Sequence, residues 1–200
     1  MFQLFKAERM WTRRSLRKTY DVVIIGAGVH GLATAYYLGI QGVRNIAVLE
    51  KGYLGSGNSG RNTAIVRSNY RTPEGILFYD QSLKLYEELS ASLGYNVLFS
   101  QQGHLTLAHA DATVNGLRIR AEANEVLGIK SSMIGPKEIK ELAPRLDMSS
   151  RPRYPILAAL YHPPGGILRH DAVVWGYARE IDRMGVEIYP HTEVQALGIR

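Results

Sequence analysis

An α/β fold on a parallel sheet is predicted by three observations on this 200-residue chain. Val22-Val23-Ile24-Ile25 is a β-branched run without polar alternation, the pattern of a strand covered on both faces. It runs straight into Gly26-Ala27-Gly28-Val29-His30-Gly31, which opens a helix rich in small residues over 32–38. Residues 45–49 form a second apolar run that ends on an acid, Glu50. Together these make one βαβ unit.

The remaining elements follow in order. Residues 1–19 form a basic arm, in which Lys6, Arg9, Arg13, Arg14, Arg17 and Lys18 face the single acid Glu8. Net charge over the chain is +6, so the basic balance belongs to this arm rather than to a nucleic-acid-binding face. The arm lacks the apolar core and cleavage site of a secretory signal. It reads as a surface arm that packs on a partner or stays loose, with an Arg-rich organellar presequence as the alternative. Residues 20–72 hold the βαβ unit, whose helix stops at Gly39 and Gly42, and a polar loop carrying Gly52, Gly55, Gly57 and Gly60. Residues 73–165 form a second region. There 74–93 reads as a helix with Phe78, Ser82, Leu85, Tyr86, Leu89 and Leu93 on one stripe, and 97–108 as extended chain broken at Gly103. Residues 114–127 read as a further helix, and Gly135-Pro136-Lys137-Glu138 as a helix start. A strand is expected over 154–161, amid Pro144, Pro152, Pro155, Pro163 and Pro164. Residues 166–200 return to the first domain. Asp171 caps a helix that ends before Gly185, and strands follow over 186–189 and 192–199.

Composition excludes several classes. Hydrophobic residues are 46% and charged residues 21%, which is globular rather than disordered. The absence of cysteine removes disulfides, thiolate metal sites and a cysteine nucleophile. The apolar stretches 22–25 and 32–40 are far too short to span a membrane, and nothing favours secretion, so a cytoplasmic location is expected. His30, His104, His109, His162, His170 and His191 show no metal-ligand spacing, so no metal is expected. Nucleophile-elbow and phosphate-loop motifs are absent, and Glu87-Glu88 reads as a solvated helix face.

A lone GxGxxG match is weak. Here a strand precedes it, a helix follows, and Glu50 stands 19 residues past Gly31, the context of a dinucleotide-binding (Rossmann-like) unit. Gly26 serves the tight turn, Gly28 the approach of a pyrophosphate to the helix N-terminus, and Gly31 close helix–sheet packing. Glu50 can accept hydrogen bonds from the adenosine ribose and would repel a 2′-phosphate, against NADP. NAD and FAD share this fingerprint. The 51–63 loop is long enough to run back along a dinucleotide and present Asn58, Arg61 and Asn62, which favours FAD.

The run from Gly26 to Leu38 and Ala47-Val48-Leu49-Glu50-Lys51-Gly52 resembles amine-oxidising flavoproteins of the D-amino-acid oxidase superfamily. Residues 61–70 (RNTAIVRSNY) and 99–105 (FSQQGHL) look like the beta subunits of heterotetrameric sarcosine oxidases, and the resemblance runs from about residue 20 to 200. It implies a noncovalent FAD. It also implies an FMN attached covalently to the histidine of a basic-His-Asp motif, here Arg169-His170-Asp171. Sarcosine oxidation at FAD would send electrons through FMN to oxygen, giving hydrogen peroxide, glycine, and formaldehyde or methylene-tetrahydrofolate. The implied partners are alpha, gamma and delta subunits and a small amino-acid substrate, with neither nucleic acid nor membrane. Expected flavin contacts then include His30, Lys51, Ser59, Thr63, Arg169 and Val194 beside the residues already named. In related monomeric enzymes an Arg-x-x-Tyr arginine grips the substrate carboxylate, and Arg67-Ser68-Asn69-Tyr70 matches it, so Arg67 and Tyr70 are the catalytic candidates. Ala64 stands where those relatives often carry a further arginine. On the residues alone, His170 reads as a solvated loop histidine before a helix, and the flavin link rests on the resemblance.

Beta subunits of this kind are about twice as long, with further FAD contacts and a catalytic lysine in their C-terminal half. The expectation is therefore an FAD-binding Rossmann-like domain with part of an α+β substrate domain, truncated at the C-terminus and inactive alone. A beta-type subunit of a dye-linked proline or other secondary-amine dehydrogenase, or a cofactor-holding electron-transfer subunit, is the alternative.

Overall fold

The computed structural model describes residues 9–199. The described chain divides into two compact units: 9–64, 89–98 and 169–199 form the first, and 65–88 with 99–168 form the second.

In unit 1, β1 (Val22–Ile25) leads through the glycine turn into α1 (Val29–Ile40) and then β2 (Ile46–Leu49). Later in the chain come the helix here called α5 (His170–Arg183) and strand β8 (Glu187–Tyr189). The sheet is parallel, in the order β1-β2-β8, with Val48 opposite both Ile24 and Ile188. Central β2 is dry, with Ile46, Ala47 and Val48 all buried. The edge strand β1 corrects the expectation of burial on both faces. Val23 is 50% and Ile25 56% exposed, because among the described residues only one face of this strand is covered. Small residues in α1 let α5 approach it: Gly39 faces the sulfur of Met184, and Tyr36 meets Tyr177 edge-on at 5.5 Å.

The described part of the basic arm is fastened to this unit. Thr12 and Arg14 both bond Asp182 of α5, and Arg14 also donates to the Val186 carbonyl. The Tyr20 hydroxyl donates to Glu187 at 2.7 Å, Arg17 pairs with the same carboxylate, and Tyr189 reaches the Ser15 carbonyl. Lys6 and Glu8 lie outside the described residues.

Unit 2 holds β3 (Ile65–Val66) and most of α2 (Pro73–Ser92), followed by β4 (His104–Ala108), α3 (Asp111–Val126), β5 (Ser132–Ile134) and α4 (Pro136–Leu142). It ends with β6 (Ala158–His162) and β7 (Gly166–Ile167). An antiparallel sheet runs β4-β6-β5, and β3 pairs with β7 as a separate ribbon. Alternation along β6 splits the core. Leu160 packs with Ala108 and with Leu117 of α3, whereas Ala159 packs with Ile134 and Ile139 of α4. Pro136 occupies the first turn of α4, and the Glu138 carboxylate accepts the Gly135 N–H at 2.9 Å.

Three further sequence expectations are corrected. The strand expected over 154–161 is confined to Ala158–His162, since Pro155 has no N–H to give a ladder. Asp171 does not cap α5: Arg169 holds that position and Asp171 lies in the first turn. No strand forms over 192–199. His191 turns the chain with φ 56°, and beyond Thr192, whose N–H bonds the Glu50 carbonyl, no described strand pairs with it.

Candidate functional site

Unit 1 builds a cradle around the start of α1. Gly26 has φ +105°, a conformation side chains rarely adopt, so the turn requires glycine. A Cβ on Gly31 would stand 2.0 Å from the Gly26 carbonyl oxygen, and one on Gly28 would stand 3.0 Å from the Ser59 hydroxyl. Gly28 caps α1 without a side chain, and no acid occupies the first turn, so the positive end of the helix stays open to an anion.

Glu50 closes the cradle. Its Oε2 accepts the Ala27 N–H at 2.9 Å, while Oε1 accepts the Gly52 N–H at 2.8 Å and the Ser56 hydroxyl at 3.3 Å. Burial pushes its pKa up, but the Gly52 and Ala27 N–H groups, Ser56 and Lys51 outweigh burial and hold it below the usual carboxylate range. A carboxylate has about four acceptor positions, so one remains on Oε2 for a ribose hydroxyl.

The 51–63 loop folds back onto the glycine turn. The Gly55 N–H bonds the Ala27 carbonyl at 3.0 Å, and Ser59, in a single 3₁₀ turn (Asn58–Gly60), accepts the Val29 N–H at 2.9 Å. The Asn62 amide donates to the Asn58 and Ser59 carbonyls and accepts from Ala64, so it braces the loop itself. His30, Lys51, Asn58, Arg61 and Thr63 are exposed. Val194 is half-buried, two residues beyond the Thr192–Glu50 bond.

At the start of α5, Arg169 forms a forked ion pair with Asp171, which lowers the Asp171 pKa and raises that of Arg169. The cation is thus shared with a carboxylate rather than aimed at His170 alone. The His170 imidazole is half-buried and has no hydrogen-bond partner among the described residues.

Unit 2 contains the Arg67–Tyr70 segment. The Arg67 guanidinium lies 4.2 Å from the Tyr70 ring centre and donates to Asn69, and Tyr70 stacks on Tyr79 at 3.9 Å. Ser68 and Asn69 are fully buried. The Ser68 N–H donates to His162 Nε2 at 3.2 Å, and His162 Nδ1 bonds the Lys130 carbonyl at 2.7 Å, which requires a neutral ring protonated on Nδ1. His104 stands opposite His162 in the β4–β6 ladder. Burial first, then Arg67, His162 and Arg120, push its pKa down to about 4. His162 thus spends both ring nitrogens inside the unit, and the Arg67 guanidinium is the group of this cluster suited to a carboxylate.

Residues 21–200 match the family described as DAO, FAD-dependent oxidoreductase. The chain belongs to this family. Sarcosine oxidase subunit beta from Rhodobacter capsulatus is 47% identical over 188 residues, which are 94% of this chain and 45% of that protein. The Arthrobacter subunit beta is 46% identical over 94% of this chain and 46% of its own length. Among solved structures, L-proline dehydrogenase from P. horikoshii superposes with a TM-score of 0.84 at 26% identity, covering 92% of this chain and 47% of that one. The chain therefore spans about half the length of the curated relatives it matches.

The unit 1 residues fit the family's FAD. The open α1 terminus suits its pyrophosphate, Gly28 leaves the space a Cβ would fill, and Glu50 has an acceptor to spare. Sequence reasoning missed His104, His162 and Arg120. His162 meets Ser68 across 94 residues of sequence, and no local spacing announces such a contact. No described helix is long and apolar enough to cross a membrane.

Proposed function

We propose that this chain is the FAD-holding part of an amine oxidase that demethylates sarcosine within a complex of alpha, beta, gamma and delta subunits. The observation that carries this reading is the 47% identity to a sarcosine oxidase subunit beta across 94% of the chain. The bound flavin would accept the two electrons taken from the amine. Gly28 and the α1 N-terminus hold its pyrophosphate, Ser59 holds the turn in place, and Glu50 holds the ribose. Arg67 grips the substrate carboxylate through its guanidinium fork, with Tyr70 fixing the orientation of that fork. The oxidised product, an imine, takes up water and releases formaldehyde and glycine, or transfers its one-carbon unit to tetrahydrofolate. His170, an imidazole without a hydrogen-bond partner at a helix start, fits covalent attachment of FMN, the group that would pass electrons to oxygen as peroxide.

A second reading is favoured by the likeness to L-proline dehydrogenase: oxidation of a cyclic secondary amine, with no FMN on His170. Anaerobic mixing of the purified holoenzyme with sarcosine or with L-proline separates the two. Sarcosine should bleach the flavin within one turnover and proline should not, and the reverse would transfer the assignment. The peptide containing Arg169–Asp171 should carry an FMN adduct by mass spectrometry. A fully flavinated enzyme with that peptide unmodified would remove His170 from the proposal.

A further inference from the structure

Unit 2 contains a second cationic feature, centred on Arg120 rather than on Arg67. Arg120 is buried in the middle of α3, yet its Nε and Nη2 have no hydrogen-bond partner among the described residues. Burial first, then Arg67 and Arg71, both of its own sign, disfavour its charge, with only Tyr70 acting the other way, and none of these three arginines joins an ion pair among the described residues. A buried guanidinium left this way is costly unless an anion completes it.

A cavity of about 490 Å³ lies beside it, lined in part by Arg71, Thr113, Gly116, Leu117, Arg120 and Ala123. Arg67, His104 and His162 do not line it. The space comes from the small residues on the Arg120 side of α3, and a Cβ built on Gly116 meets nothing within 4 Å. Arg71 is exposed at this cavity, whereas the Nε and Nη2 of Arg120 are closed to solvent, so an anion seated on Arg71 meets these donors when the Arg120 side chain turns toward the opening.

We propose that this cavity is a binding site for a small organic oxyanion, a carboxylate or phosphate ester, held between Arg120 and Arg71. The unmade N–H groups of Arg120 ask for a ligand with at least two acceptor oxygens, which both anions offer and an amine or metal cation does not. Leu117 and Ala123 give the carbon skeleton an apolar wall, and the Thr113 hydroxyl adds a donor or an acceptor. The proposal is independent of which amine the flavin site oxidises.

The test is calorimetric titration of the purified holoenzyme with inorganic phosphate and, separately, with succinate, at an ionic strength fixed with chloride. One equivalent per chain of at least one anion should bind. Succinate alone would identify a carboxylate ligand, and phosphate alone a phosphate ester. Arg71→Gln changes only an exposed side chain and should weaken binding by about tenfold. Arg120→Met should abolish binding while leaving the melting temperature unchanged or higher, because it removes an unpaired buried charge. The flavin spectrum should be the same in all three proteins. No saturable binding of either anion to the wild type would overturn the proposal, and so would equal binding in Arg71→Gln. The Arg71 variant decides even if Arg120→Met does not fold.

Discussion

Glu50 in unit 1 and Arg120 in unit 2 are equally hidden, each 8% exposed, yet one is nearly saturated and the other is starved. Glu50 gathers three donors from its own unit, and they keep it ionised. Arg120 has two unmade donors and like-charged neighbours. Asn69 Nδ2, His104 Nδ1, Thr106 Oγ1 and Asn124 Oδ1 in the same unit are also buried without partners. Buried polar groups that the protein satisfies itself make a rigid receptacle, whereas those it leaves unsatisfied mark where something from outside completes the structure. Unit 1 satisfies the buried groups of its glycine turn from within, whereas unit 2 leaves buried polar groups beside Arg67, Arg71 and Arg120 that an anion would complete.

The largest effect expected from this contrast is at Gly31. Gly31→Ala puts a Cβ 2.0 Å from a backbone oxygen that cannot move away without opening the turn. A loss of about 3 kcal/mol or more is expected, with loss of bound FAD, measured by denaturant melting and flavin content. Wild-type flavin content in that variant would break the claim that the turn is rigid.

Glu50→Gln ranks next. It replaces an acceptor with an amide that can turn an N–H toward Ala27 or Gly52, at a cost of about 2 kcal/mol by chemical denaturation. Its pH dependence has a definite sign. The folded pKa lies below the ordinary value, so the carboxylate's contribution is complete above that value and is lost as pH falls through the folded pKa. The acid limb of the stability profile should therefore be shallower in Glu50→Gln than in the wild type.

His104 sharpens the comparison at a higher pH. Its ordinary value of 6.5 falls to about 4 in the folded chain, so below 6.5 the unfolded state binds a proton that the folded state refuses. Stability should drop as pH falls from 6.5 toward about 4, by about 1 kcal/mol after allowance for solvent screening, and His104→Asn should remove that slope. An unchanged slope in the variant would show that burial and the neighbouring arginines do not suppress His104 protonation.

Gly116→Ala is the smallest change. Its Cβ would meet nothing within 4 Å in the middle of α3, so helix propensity alone should stabilise unit 2 by up to about 1 kcal/mol. Destabilisation there would mean that the α3 cavity is not open.

Unit 1 was largely legible in the sequence because its logic is local. The β1 run, the three glycines and Glu50 lie within thirty residues, and each glycine has its own steric reason. Even there, the partner of Val29 was not readable: Ser59 reaches it only because Gly55 and Gly60 pack against each other, with a Gly60 Cβ only 2.6 Å from the Gly55 oxygen. Unit 2 was legible as elements but not as a site. Strands β3 and β7 have two residues each, and β5 begins on Ser132, too short and too polar for periodicity to register. His162 and Arg120 gain their meaning from Ser68 and Arg71, long-range contacts that no local pattern encodes.

The central claim is that the Gly26–Gly31 turn and Glu50 hold FAD. The most direct measurement is the flavin released from purified wild-type holoprotein and from Gly28→Val, identified and counted by chromatography after denaturation. The larger side chain would crowd Ser59, already 3.0 Å from a Cβ at this position, and fill the space left for the pyrophosphate. The account predicts close to one noncovalent FAD per wild-type chain, and little or none in a Gly28→Val protein that still melts cooperatively. Equal FAD content in the two proteins would contradict it.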